Sequence, residues 1–157
     1  MPEPEERKLV ATHRKARFEY EILERVEAGI ALVGPEVKSL RAGNASLVEA
    51  YAVVRRGEVF LVGAHIRPYA QASRENPDPK RERKLLLHRT EIARLGAKVA
   101  ERGLTLVPLQ IYFRDGRAKV ELALARGRRR HDKRDAIRER EQEREVRRAL
   151  RTRSRRG

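Results

Sequence analysis

Polar and apolar residues alternate through residues 18–33, with Phe18, Tyr20 and Ile22 set between Glu19, Glu21 and Glu24. A period of two over that length predicts a long strand with one buried face. Gly34-Pro35 stops it, and proline suits the first position of a helix, where its missing N–H would have had no partner. Val37 and Leu40 then share one face of a short helix that Ala42-Gly43-Asn44 ends, leaving Lys38 and Arg41 to solvent. Residues 47–55 and 59–66 alternate again and join at Arg56-Gly57, a hairpin with glycine in its turn. Residues 68–83 form the one long loop, stiffened by Asn76-Pro77-Asp78-Pro79. Thr90 is placed to cap a helix over residues 91–102, with Ile92, Leu95 and Val99 inward and Gly103 at its stop. A second hairpin, residues 104–114 and 117–125, turns at Asp115-Gly116, with Leu109, Ile111 and Phe113 facing Val120, Leu122 and Leu124.

Strand–helix, hairpin, helix, hairpin predicts a mainly β fold with short helices. The natural architecture is an antiparallel, OB-like closed β-barrel over residues 10–125, its open ends plugged by helices. Residues 1–9 read as a disordered leader, and 126–157 as a basic tail. From 135 to about 151 the tail is helix-friendly, with Glu143 and Arg147 at i,i+4. Ile137, Val146 and Leu150 are too sparse for a core stripe, so the segment is expected to be disordered when free and helical when bound to an anionic partner.

Charge narrows the class. The 157 residues hold 38 Lys and Arg against 23 Asp and Glu, a net charge of +15. Residues 126–157 carry 15 basic and 6 acidic residues, so a fifth of the chain holds +9 of the excess. Such a field suits phosphates or an anionic surface, and arginine forks match phosphate geometry. No cysteine is present, which excludes disulfides and cysteine-based sites and fits a reducing cytoplasm. Neither a signal-peptide pattern nor an apolar run long enough for a bilayer occurs. The expectation is a soluble cytoplasmic binder of polyanions, with no membrane partner.

Candidate chemistry is sparse. No Gly-rich phosphate loop, zinc spacing or Gly-x-Ser-x-Gly occurs, and His13, His65, His88 and His131 stand far apart. The reading is a binding protein and not an enzyme, with no catalytic residue, metal or cofactor. A metal-dependent nuclease would have to assemble scattered acids such as Glu36, Glu49 and Asp115, and their spacing does not select them. His13, Arg14 and Lys15 form a basic cluster that is either a solvated strand start or an RNA contact. Glu27, beside Ala28-Gly29, sits where a bulge would aim neighbours off the sheet. Lys84 and Leu86 lie in an apolar run that is either a core strand or a surface for an RNA loop. Tyr51 and Tyr69 read as core before they read as base-stacking platforms.

Four strings make the chain recognisable. Glu27-Ala28-Gly29, Glu36-Val37-Lys38-Ser39-Leu40-Arg41-Ala42-Gly43, Arg83-Lys84-Leu85-Leu86-Leu87 and Gly127-Arg128-Arg129-Arg130-His131-Asp132-Lys133-Arg134 follow in order. Together they resemble the bacterial tmRNA-binding small protein B (SsrA-binding protein) family, over residues 10–150 or so. One departure is His13, where that family usually has Asn. The resemblance implies the OB-like fold and a protein that delivers tmRNA to stalled ribosomes for trans-translation. It implies that His13, Arg14, Lys15, Glu27, Ala28, Gly29, Lys38, Arg41, Lys84 and Leu86 face the tRNA-like domain of tmRNA. Gly127, Arg128, Arg129, Arg130, His131, Asp132, Lys133 and Arg134 would enter the decoding centre against small-subunit ribosomal RNA, the distal tail running along the mRNA channel. Elongation factor Tu is then an expected partner through alanyl-tmRNA, and the protein a monomer. A ribosomal or ribosome-assembly protein is the alternative.

Overall fold

The computed structural model describes residues 7–128 and 130–156, without the side chains of 73–75, 130–136, 139 and 152–156. The leader reading for residues 1–6 and the site reading for Arg129 lie outside the described residues, as do the side chains of Arg130, His131, Asp132, Lys133 and Arg134.

The first strand, β1 (Arg7–Thr12), pairs antiparallel with β8 (Thr105–Arg114). Residues 7–9, read as part of the leader, are therefore sheet, because the edge of β8 satisfies their backbone groups. A single helical turn, α1 (Ala16–Glu19), precedes β2 (Tyr20–Ile30), so Phe18 belongs to a helix and not to the strand. The local alternation is overridden by packing, since Ala16 is buried against Val107, Leu109, Ala123 and Ala125. Next come α2 (Gly34–Arg41), β3 (Ala45–Ser46), β4 (Tyr51–Arg55), β5 (Glu58–Val62), β6 (His65–Ile66) and β7 (Arg83–Leu86). The helix α3 (Arg89–Arg102), β8, β9 (Arg117–Gly127) and α4 (Arg130–Arg156) complete the chain.

Pairing runs β8–β4–β5–β7–β2–β9 and returns to β8, a ring of six antiparallel strands with β1 added on β8. Two links are narrow: β2 meets β7 only at Gly29–Leu86 and Ile30–Leu85, and β4 meets β8 at Ala52–Leu106. The expected antiparallel, mainly β architecture is present. In the first hairpin the 47–55 strand starts only at Tyr51 and the 59–66 strand is broken in two, with β6 pairing in a separate ladder with β3. Gly63 is the reason: its φ is +78°, and a Cβ there would lie 2.6 Å from the Glu49 carbonyl oxygen.

Leu40, Val59, Leu61, Leu85, Leu95, Leu106, Ile111, Val120 and Leu122 fill the ring, each 1% exposed or less. Leu109 does not join them. The register slips between Pro108 and Gln110, so Leu109 turns to the outer cluster under α1 while Ile111 and Phe113 point inward. Proline has no N–H for the ladder, and a bulge is where a strand accommodates it.

Charge is also buried. Glu36 accepts from Arg83 Nε at 2.6 Å, from Arg81 Nη2 at 2.6 Å and from the Val33 N–H at 3.1 Å. Arg83, fully buried, also donates to the Ala64 and Pro79 carbonyls at 2.9 and 3.0 Å. Every described lining group is paired, which is the condition for burying an ion pair without great cost. This cluster ties α2 to β7 and to the loop before it. The N-cap of α3 is His88 rather than Thr90, with the Ile92 N–H closing the first turn on the His88 carbonyl at 3.0 Å. The tail segment α4 is one continuous helix, exposed throughout residues 140–151.

Candidate nucleic-acid interface

Residues of β2, β7, β8 and β9 that do not enter the core share the outer face of the sheet, and strand register sets them in rows. One row runs Leu86, Gly29, Lys119, Tyr112, Leu9 across β7, β2, β9, β8 and β1. The next runs Glu27, Glu121, Gln110, Thr12. Leu86 and Leu9 are more than half exposed. A Cβ on Gly29 would lie 3.2 Å from that of Leu86, so the bare glycine is what lets Leu86 lie across β2.

Glu27 sits at the centre. It accepts from the Tyr112 hydroxyl, and Arg114 Nη1 lies 2.9 and 3.1 Å from its two oxygens. Tyr112 is buried, with the Arg7 guanidinium 5.2 Å from its ring centre. Burial, then the hydrogen bond to the Glu27 carboxylate, pushes the Tyr112 phenol up to about 12, so it stays a donor at any working pH. An acid in a basic surface thus holds a phenol and a guanidinium in fixed positions.

Lys38 and Arg41 stand at the C-terminal end of α2. Lys38 Nζ is 5.5 Å from the Tyr69 ring centre, and the Arg41 guanidinium is 4.7 Å from that of Phe113. Arg41 Nη2 also reaches the Gly116 carbonyl at 3.4 Å, so α2 meets the tip of the β8–β9 hairpin. Lys84 is exposed on β7 and pairs with Glu58 at 3.1 Å. Arg14 and Lys15 are exposed before α1.

Two residues expected at the surface are inside. Ala28 is 1% exposed and packs in the ring, because its neighbours Glu27 and Gly29 take the outer face. His13 is 8% exposed, with Nδ1 3.1 Å from the Pro108 carbonyl and its own N–H bonded to the Leu109 carbonyl at 2.8 Å. A carbonyl only accepts, so Nδ1 carries the hydrogen. His13 braces the bulge in β8 and fixes where Arg14 and Lys15 emerge. At the start of the tail, Gly127 still pairs with Tyr20, and Arg128 is tied down through its N–H to the Glu19 carbonyl at 2.9 Å and Nε to the Tyr20 carbonyl at 3.2 Å.

Sequence reasoning missed Tyr112, Arg114 and Lys119. Their signal was parity: Tyr112 and Lys119 lie between inward-facing residues and Arg114 follows Phe113, so each faces outward. The scattered acids do not converge. Glu36 is occupied by two arginines, Glu49 is exposed 3.6 Å from Lys80, and Asp115 sits in a turn at φ +50°. Among the described residues no three His, Cys, Asp or Glu side chains form a metal site, and no helix is long and apolar enough to cross a membrane.

The family described as SmpB protein matches residues 10–152. The SsrA-binding protein of Acidothermus cellulolyticus is 60% identical over 144 residues, covering 92% of this chain and 91% of that one. That of Desulforudis audaxviator is 57% identical over 149 residues, covering 95% and 96%. Among solved structures, a chain described under "tmRNA-SmpB: a journey to the center of the bacterial ribosome" superposes with a TM-score of 0.65 at 53% identity, covering 81% of this chain and 93% of that one. With the match spanning barrel and tail alike, the chain belongs to the SmpB protein family.

Proposed function

We propose that this protein binds the tRNA-like domain of tmRNA and brings it to stalled ribosomes in the cytoplasm for trans-translation. The observation that carries the reading is the outer sheet face on which Leu86, Gly29 and Glu27 lie together, with Tyr112 and Arg114 fixed on Glu27. An exposed leucine lying flat on a glycine offers an apolar platform for an unstacked base. Arg14, Lys15, Lys38, Arg41 and Lys84 surround it with charge for backbone phosphates. His13 and Ala28 belong to the site as supports. The tail, from Gly127 through Arg134, enters the vacant decoding centre and stands in for codon–anticodon pairing, with α4 along the mRNA channel. The protein acts as a monomer without a cofactor, elongation factor Tu joins through alanyl-tmRNA, and peptidyl transfer stays with the ribosome.

The test compares affinity for the tRNA-like domain of tmRNA with that for an ordinary tRNA, at one salt concentration. A chain ending at Arg128 is measured beside the full one; that end keeps all of β9 and its anchor on Glu19. The shortened chain should keep tmRNA binding within about tenfold, as it retains the barrel's phosphate contacts, and lose tagging on stalled ribosomes. Equal affinity for both RNAs overturns the reading.

A further inference from the structure

Several described arginines of the barrel are neutralised where they stand: Arg25 is 3.6 Å from Glu121, Arg55 2.9 Å from Glu82, and Arg114 2.9 Å from Glu27. Arg14 before α1, Arg17 on α1 and Arg140 on α4 have no carboxylate within 4.0 Å among the described residues. These three and Arg25 line one open hollow of about 510 Å³. Its floor is apolar, with Ile22 and Leu109, and the acid in its lining, Glu121, already pairs with Arg25 and accepts from Gln110 at 3.1 Å.

The three guanidinium groups without a carboxylate, brought by the turn before α1, by α1 and by α4, repel one another across such a space unless an anion stands between them. The apolar floor strengthens both the repulsion and the attraction to an anion. The groups are arginines, whose planar forks take phosphate oxygens in pairs. The hollow is also continuous with the row Glu27, Glu121, Gln110, since the last two line it. A strand of RNA crossing Leu86 and Glu27 therefore runs on into it.

We propose that this hollow seats a phosphate of the RNA backbone, and that filling it fastens α4 to the barrel. Arg140 grips the phosphate from the helix while Arg14 and Arg17 grip it from the body. The seat rests on the tmRNA-binding reading above and adds to it a coupling: RNA held on the barrel sets the bearing of the tail. Such a contact is screened by salt, so occupancy falls as ionic strength rises.

Full-length protein is titrated with the tRNA-like domain of tmRNA over a salt series. Arg17→Ala and Arg140→Ala are each expected to weaken binding about threefold to tenfold and to make the slope of log K against log salt shallower by roughly one. Arg102→Ala, exposed at the end of α3, should change neither. RNA should slow amide exchange over residues 140–151 in the unmodified protein and fail to do so in Arg17→Ala. Unchanged affinity, slope and exchange response in both variants overturn the seat. A protein that binds tmRNA no better than tRNA overturns the parent reading instead, and the slopes with either RNA still decide the seat.

Discussion

The hydroxyl of Tyr112 donates to the carboxylate of Glu27 across the whole width of β9, although the two residues stand 85 positions apart in the chain. Arg114 closes on the same carboxylate from the same strand as Tyr112. A lone acid on an RNA-facing surface would repel phosphates. Held this way, it instead orients a donor and a cation, and its own charge is balanced by Arg114.

Tyr112→Phe keeps the ring and removes only the donor. The loss of a hydrogen bond to a charged group should cost about 1.5 kcal/mol in urea unfolding. Binding to the tRNA-like domain should weaken about tenfold, on the scale of one such bond. In a Glu27→Ala background the same change should add less than about 0.5 kcal/mol, no more than the scatter on additivity, because the partner is already gone. Additive losses would show that Tyr112 acts apart from Glu27.

Gly29→Ala places a methyl 3.2 Å from the Leu86 Cβ. The β7 backbone, paired with Gly29, fixes that Cβ, so the two strands must part by a few tenths of an ångström, at a cost of about 1 kcal/mol. RNA affinity should fall nonetheless, because the leucine is displaced from the strand it covers. Equal affinity in Gly29→Ala and the parent protein would remove the Leu86 platform from the site.

His13→Asn should be nearly neutral, within about 0.5 kcal/mol, since an asparagine amide can donate to the same Pro108 carbonyl. His13→Ala leaves that carbonyl without its donor and should cost about 1–2 kcal/mol. A base-contacting His13 would give the opposite ranking: both variants stable, both deficient in RNA binding.

Glu36 supplies a pH signature. Burial works to raise its carboxyl, but bonds from Arg81, the Val33 N–H and Arg83 outweigh it and hold the group below its ordinary 4.5. The folded state therefore binds the proton less readily than the unfolded chain. Its contribution is complete above 4.5 and is lost as pH falls through the lower folded value. Glu36→Gln leaves Arg83 buried with its charge unbalanced and should cost about 3 kcal/mol at neutral pH. Urea midpoints measured down to pH 3 or so should then decline less steeply in Glu36→Gln than in the parent protein. Parallel declines would show that Glu36 is not the group titrating.

Much of this was readable along the chain. Alternation in residues 110–114 already separates Ile111 and Phe113 from Tyr112 and Arg114, and the two hairpin turns fall at Arg56-Gly57 and Asp115-Gly116, all at positive φ. What local pattern could not supply is which distant residues meet. Glu36 and Arg83 lie 47 positions apart, and no periodicity links a helix start to a strand start. Pro108 signals trouble for a ladder, but only the position of α1 decides that Leu109 should turn outward to cover it. Phe18 continues a strand-like alternation and still lies in a helix, because buried Ala16 sets the direction of that turn.

Arg128 is stapled to Glu19 and Tyr20 just before α4 begins. The 27 residues of α4 make a rod roughly 40 Å long at 1.5 Å per residue. Pivoting near that staple, a swing of about 10° would carry the far end roughly 7 Å, more than one helical turn. The barrel is thus the handle of a lever: small rotations at the staple become large displacements at the tip.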